Sequence, residues 1–331
     1  MFYILGLMKV AVTGAAGYLG TNLIPLLVER GHEVVAIDRA APTTADPAVT
    51  WVDGDVLDPA SMRAALAGAE VVYHLVALIT LAEHNDLAWR VNTEGVRVTA
   101  EAALESGVRR FVHTSSIHAF DQYRAGGHID ENSSRSDDPG LPVYDRSKWS
   151  GELALRPVIE RGLNAVIVNP TGVYGPVDHP ERLSRLNTIA TQAMRGRLPV
   201  MIGGGFDLVD VRDVAQGLIL AGDKGRTGEN YLLGGEMTTM TDFCRMAAAR
   251  AGAKGPRFTI PAKVLGAALP VLEPIGKRLG SDSLSKAALG AVISAPVVDH
   301  GKAERELGYR PRPTTETVND LVDFLRASRH A

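Results

Sequence analysis

Cysteine is nearly absent: Cys244 is the only one in 331 residues. That excludes an internal disulfide framework and a cysteine-rich zinc site, and it fits a reducing compartment. Charge of one sign is also missing. The formal net charge is -3 with no long like-charge run, so neither a basic footprint for nucleic acid nor a polyanionic tail is expected. No apolar run reaches the ~20 residues of a membrane span. The stretch 287–298 contains Gly290 and Pro296, and 265–275 is interrupted by Pro270 and Pro274; both read as lobe core or pocket lining. The nine histidines show no spacing with carboxylates that would hold a metal, and no repeat or low-complexity segment is present. Residues 1–7 are apolar but lack the positive start and small-residue cleavage site of a secretion signal. They read as an N-terminal extension, and the cytoplasm is the expected location.

What is there is core material, 45% hydrophobic residues, arranged with two periods that alternate. Short apolar strands are expected over 9–13, 33–37, 50–52, 70–75, 109–114 and 164–168. Helices fall between them over 18–30, 59–67 and 87–106, with another around Tyr144. This βαβ rhythm predicts an α/β fold, a Rossmann-type doubly wound parallel sheet. After residue 177 the alternation weakens. Helices are expected near 183–195 and over 211–221, a glycine break at 203–205, a strand over 230–233 and a final helix over 315–327 with Val318, Leu321, Val322 and Leu325 on one stripe. The expected division is a dinucleotide-binding domain over 1–176, with 206–234 returning to the sheet, and a smaller, mostly helical substrate-binding lobe from 177–205 and 235–331.

Thr13-Gly14-Ala15-Ala16-Gly17-Tyr18-Leu19-Gly20 sets glycines three apart between a strand and a helix. Such a turn lets backbone approach closely and aims N–H groups and the positive end of a helix dipole at an anion, as in the binding of a dinucleotide pyrophosphate. Asp38 follows at the end of the next strand, where a carboxylate can accept both ribose hydroxyls and repel a 2′-phosphate, favouring NAD. The neighbouring Arg39 could pair with that phosphate if Asp38 turned aside, which keeps NADP open. Asp55, ahead of Val56, follows the third strand, where it either meets the adenine amino group or caps the loop before Pro59.

Tyr144 and Lys148 are four apart, on one face of a helix. An ammonium beside a phenol favours the phenolate and lowers its pKa from about 10, making a proton-transfer group. Thr114-Ser115-Ser116 end a strand at the sheet edge where ligands of open α/β folds collect, and a hydroxyl there can polarise a carbonyl. The other reading of these hydroxyls is satisfaction of the strand-end backbone. His74, His113 and His118 flank strand ends, where one could touch substrate but a structural role is expected.

Taken together, the glycine turn, Ser116, the Tyr144/Lys148 pair, His74 to Ala77, Asn169 to Pro176, Val209 to Ala215 and Leu307 to Pro311 resemble the extended short-chain dehydrogenase/reductase family over nearly the whole chain. That family includes NAD-dependent epimerases and dehydratases, dihydroflavonol reductases and 3β-hydroxysteroid dehydrogenases. The resemblance implies that Tyr144 gives or takes the hydroxyl proton and that Lys148 steadies its phenolate and bonds the nicotinamide ribose. Ser116, four residues before Phe120, would orient the reacting oxygen, with Ser115 in reserve. It also places Leu75 and Ala77 at the cofactor ribose and Pro170, Thr171 and Val173 beside the nicotinamide. Asn92 would support the site or be a buried structural amide. Asp210, Arg212 and Asp213 are expected to be an ion-paired helix start that anchors the lobe.

A reductase or dehydrogenase acting on a carbonyl or secondary alcohol of a small, fairly apolar substrate is the first expectation; a nucleotide-sugar epimerase or dehydratase is the second. Sugar-nucleotide relatives commonly place an arginine seven residues before the aspartate matching Asp213, and here that position is Phe206. Arg182, Arg185, Arg195 and Arg197 remain available for a phosphate. A third reading is a non-catalytic NAD(P)-sensing module, against which retention of Ser116, Tyr144 and Lys148 argues. A homodimer through two sheet-flanking helices is expected by analogy with the family.

Overall fold

The computed structural model describes residues 7–40, 46–80, 82–179, 182–261, 264 and 295–328. The expected N-terminal extension and the apolar stretches at 265–275 and 287–298 lie largely outside them. In chain order the strands are β1 (Lys9–Thr13), β2 (Glu33–Asp38), β3 (Val49–Asp53), β4 (Val71–His74), β5 (Arg110–Thr114), β6 (His128–Ile129), β7 (Ala165–Pro170), β8 (Gly172–Tyr174), β9 (Val200–Ile202), β10 (Gly205–Asp210), β11 (Asn230–Leu233), β12 (Glu236–Thr239), β13 (Phe258–Ile260) and β14 (Val297–Val298). The helices are α1 (Tyr18–Glu29), α2 (Pro59–Ala65), α3 (Asp86–Glu105), α4 (Val143–Glu160), α5 (Arg185–Met194), α6 (Val211–Lys224), α7 (Met240–Arg250), α8 (Gly301–Leu307) and α9 (Thr314–Ala327).

Seven strands form one parallel sheet in the order β11-β7-β5-β4-β1-β2-β3. Strands β4, β5, β7 and β11 are buried along their whole length, which is why they read as continuous apolar runs: both faces of a parallel sheet are covered by crossover helices. Alternate residues of β1 serve the two faces. Val10 and Val12 join a core with Leu23 and Leu27 of α1 and Val214 and Leu218 of α6. Ala11 joins another with Met62 of α2, Val96 of α3 and Leu155 of α4. Strand order reverses between β1 and β4, and a crevice opens beyond their carboxyl ends, where open α/β sheets take ligands.

A third core gathers Tyr174, Phe243, Cys244 and the α9 stripe of Val318, Leu321, Val322 and Leu325. The expected stripe is therefore buried, at roughly 1.5–3 kcal/mol per large aliphatic side chain. Strands also appear outside the main sheet: β10 joins β8 and β12 in a three-stranded sheet, and β9 pairs with β13. Within 206–234 the return to the main sheet is made by β11, which pairs with β7. Strand β10 carries Asp207 and Asp210 at buried positions, so its sequence lacks an apolar run. Asp207 accepts the Gly235 N–H and Asp210 the Arg212 N–H, which satisfies both carboxylates inside the fold.

Candidate active site

The glycine turn follows β1 directly. Gly14 has φ +73°, and a Cβ there would lie 3.0 Å from the Val76 backbone nitrogen; the turn thus fits against the strand end next door only without a side chain. At Gly20 a Cβ would overlap the Ala15 carbonyl oxygen, so the first turn of α1 closes tightly on the loop. No side chain caps α1 at Gly17, and its first turn holds no acidic residue. Its opening N–H groups and dipole therefore remain available to an anion. A crevice of about 670 Å³ begins here, with Gly14, Gly17, Asp38, Arg39, Asp55 and Val56 on one wall, and Leu75 and Ala77 on the other. Arg182 also lines it, a position that spacing in the sequence does not reveal.

The Asp38 carboxylate is held in the crevice by two backbone donors, Ala16 N–H to Oδ2 at 3.0 Å and Arg39 N–H to Oδ1 at 2.8 Å. Asp55 lies on the crevice wall and also accepts the Leu57 N–H at 2.9 Å, while Asp58 caps α2. Tyr18, Leu19 and Gly20 form the support of the turn: the Tyr18 hydroxyl donates to the Gly175 carbonyl at 2.7 Å, and Leu19 packs on the core. Pro170 ends β7, Val173 packs against the core, and Thr171 reaches a smaller cavity beside His118. The free helix start, the close glycines and a carboxylate at the end of β2 fit a dinucleotide.

Beyond β5 and at the start of α4 the second group assembles. Tyr144 and Lys148 share the buried face of α4, and the Lys148 Nζ donates to the Thr114 carbonyl at 3.0 Å. Burial pushes the Tyr144 phenol up to about 12; the Ser116 hydroxyl works against that shift and the Asp145 charge adds to it. The expectation that the ammonium lowers this pKa is thus not met. Burial dominates at the phenol, and the lysine is itself pushed down to about 8 by burial, with Glu152 opposing.

The structure separates the two serines. Ser115 Oγ donates to Glu152 Oε1 at 2.6 Å, whereas Ser116 Oγ accepts the His118 N–H at 3.2 Å and faces Tyr144. Glu152 is fully buried and also receives the amides of Asn169 at 2.7 Å and Asn230 at 3.0 Å. Sequence reasoning missed this network; a glutamate one turn beyond Lys148 was the available signal. Asn92 is a buried structural amide that donates to the Leu78 carbonyl and Ser147 Oγ and accepts the Leu78 N–H.

His74 lies wholly buried with Nδ1 at 2.8 Å from Thr13 Oγ1, and His113 stacks on it. Burial, reinforced by the Lys148 charge, pushes His74 down to about 3 and His113 well below its ordinary value, so both are neutral. Asp210 caps α6 and binds Arg212, and Asp213 grips Arg312 through both carboxylate oxygens; this helix start is an ion-paired anchor. Among the described residues no cluster of His, Cys, Asp or Glu could hold a metal ion, and no helix is long and apolar enough to cross a membrane.

Comparison with known proteins agrees with this fold. Sterol demethylase protein B of Methylococcus capsulatus is 32% identical, the alignment covering 96% of this chain and 98% of that protein. A 3-beta-hydroxysteroid dehydrogenase of Mycolicibacterium neoaurum is 28% identical over 96% and 93% of the respective chains. The crystal structure of gox2253 superposes with a TM-score of 0.82 at 29% identity, covering 97% of this chain and 98% of that one. The sequence model of the NAD dependent epimerase/dehydratase family matches residues 10–234. The chain therefore belongs to that family of extended short-chain dehydrogenases/reductases, and is an NAD-dependent enzyme with a Rossmann-type parallel sheet.

Proposed function

We propose that the protein exchanges hydride with the carbonyl or secondary alcohol of a small, fairly apolar substrate through Ser116, Tyr144 and Lys148. The observation that carries this reading is that Ser116, just past β5, faces the Tyr144 phenol while Lys148, on the same buried face of α4, donates to the Thr114 carbonyl at the end of β5. Gly14, Gly17, Asp38 and Arg39 hold the dinucleotide, with Asp55, Val56, Leu75 and Ala77 along its length and Pro170, Thr171 and Val173 at its far end. NAD, when bound, supplies the hydride acceptor or donor.

The chain's own groups handle the oxygen. Tyr144, protonated throughout the neutral range because burial raises its pKa, donates to the carbonyl oxygen during reduction. Ser116 orients that oxygen from the other side. The Lys148 ammonium, next to the site and desolvated, offsets the negative charge left on the phenolic oxygen when the proton moves. Glu152 fixes Ser115 out of the way and keeps the strand end and α4 in register.

An apolar substrate is favoured by Phe206, which lines the cavity beside His118 and Thr171 where a sugar-nucleotide enzyme would carry an arginine. Nucleotide-sugar epimerisation or dehydration is the second reading, supported by Arg182 on the crevice wall. A purely NAD(P)-sensing role would leave Ser116, Tyr144 and Lys148 without a purpose. NADP in place of NAD, a homodimer through two sheet-flanking helices, a cytoplasmic location, and the division into a cofactor domain and a substrate lobe belong to the same proposal. The test is to incubate purified protein with NADH or NADPH and a panel of aldehydes, ketones and nucleotide sugars while following absorbance. Stoichiometric cofactor oxidation is expected. Sugar conversion without net cofactor change would establish the second reading instead.

A further inference from the structure

His118 is set up as more than a strand-end histidine. Its Nδ1 lies 2.8 Å from Asp145 Oδ1. Asp145 is buried in the first turn of α4, and among the described residues no other hydrogen bond reaches its carboxylate. The Gln122 amide also approaches Nδ1, at 3.3 Å; the shorter contact is to a carboxylate, which only accepts, and it selects the neutral tautomer with the proton on Nδ1 and a lone pair on Nε2. The ring meets Tyr144 edge-on, with centroids 5.2 Å apart, and the His118 backbone N–H holds Ser116 Oγ. His118 therefore contacts both residues expected to handle the substrate oxygen, Tyr144 through its ring and Ser116 through its backbone. Unlike them its side chain is open, 32% exposed, on a cavity of about 60 Å³ shared with Gln122, Thr171, Phe206, Pro296 and Val298. That is room for one substituent and not for a whole substrate.

We propose that His118 Nε2 accepts a hydrogen bond from a hydroxyl carried next to the reacting carbon, so that the enzyme selects α-hydroxy ketones and the corresponding vicinal diols. This rests on the Ser116–Tyr144–Lys148 reading of the site. The physical reason is one of satisfaction. Once substrate covers the cavity, Nε2 is cut off from water, and a plain ketone leaves its lone pair without a donor whereas an α-hydroxyl fills it. Asp145 acts through the ring as a positioning residue, fixing which nitrogen accepts.

The test compares cyclohexanone with 2-hydroxycyclohexanone in NADH-dependent reduction by the full-length protein. The wild type is expected to prefer the hydroxylated ketone in kcat/KM by about tenfold, the worth of one hydrogen bond. In His118→Asn the amide nitrogen can still serve Asp145 while the Nε2 position is lost, so the ratio of the two kcat/KM values should fall to about one. His118→Gln, whose amide oxygen can reach the place of Nε2, should keep part of the preference, and it provides a second readout if the asparagine variant folds poorly. Equal reduction of the two ketones by the wild type, or an unchanged preference in His118→Asn, overturns the role of His118 while leaving the redox site intact. Failure of the wild type to reduce either ketone, with either nicotinamide cofactor, counts against the redox reading itself and removes this one with it.

Discussion

Ser115 Oγ donates to the fully buried Glu152 carboxylate at 2.6 Å, which leaves the neighbouring Ser116 as the hydroxyl facing Tyr144. Adjacent residues at a strand end point to opposite sides of the sheet, so one serine is committed to the scaffold and the other to the site. Ser116→Ala should therefore lower turnover by about 10²-fold or more with little change in Tm. Ser115→Ala leaves a buried carboxylate one donor short, costing about 1–3 kcal/mol of stability, and should lower Tm while retaining most activity well below it. Calorimetry and steady-state kinetics on the two variants check the assignment; a reversed pattern would exchange their roles.

The lysine gives a pH dependence of definite sign. Burial holds Lys148 near 8, so it is charged below that pH and loses its charge as pH rises through it, whereas Tyr144, near 12, stays protonated. For ketone reduction kcat/KM, which reports the free enzyme, should be flat in the neutral range and fall above about pH 8. Lys148→Met should be slow throughout and lack that alkaline limb. A wild-type plateau extending past pH 10 would show that the lysine charge is not required.

The proposed function puts cofactor choice on Asp38. Its carboxylate is fixed at the glycine turn by the Ala16 and Arg39 backbone N–H groups, and in that proposal it disfavours a 2′-phosphate that the Arg39 side chain would otherwise bind. In Asp38→Ser the ratio of kcat/KM for NADPH over NADH should rise by about tenfold or more. An unchanged ratio would separate Asp38 from ribose recognition.

The turn itself tolerates no side chain at its third glycine. Gly20→Ala places a methyl group on the Ala15 carbonyl oxygen, so either the loop or the first turn of α1 must shift. NADH affinity, read by fluorescence titration, should weaken by about tenfold or more, and Tm should drop. A variant that binds NADH as the wild type does would show that the loop adjusts without moving its N–H groups.

Much of this architecture is written in local pattern. The parallel strands were legible because burial on both faces makes them continuous apolar runs, and α9 because its stripe of Val318, Leu321, Val322 and Leu325 repeats with the helical period. Glycine spacing and the four-residue Tyr144/Lys148 interval pointed to the crevice and to α4. What escaped was set by tertiary contact. Strand β10 hides two buried aspartates whose partners are backbone groups elsewhere in the chain. The Glu152 network joins Ser115, Asn169 and Asn230 from three different strand ends. The pairing of His118 with Asp145 spans 27 residues, and the burial that raises the Tyr144 pKa depends on depth in the fold, which no interval in the sequence encodes.

The central claim is that the Tyr144 hydroxyl transfers the proton in a hydride-exchange site. Its most direct test is NADH oxidation in the presence of a ketone, measured for the wild type and Tyr144→Phe alongside NADH binding by fluorescence. The account predicts stoichiometric oxidation by the wild type, and for the phenylalanine variant turnover reduced by orders of magnitude with cofactor affinity nearly intact. Undiminished turnover in Tyr144→Phe would contradict it.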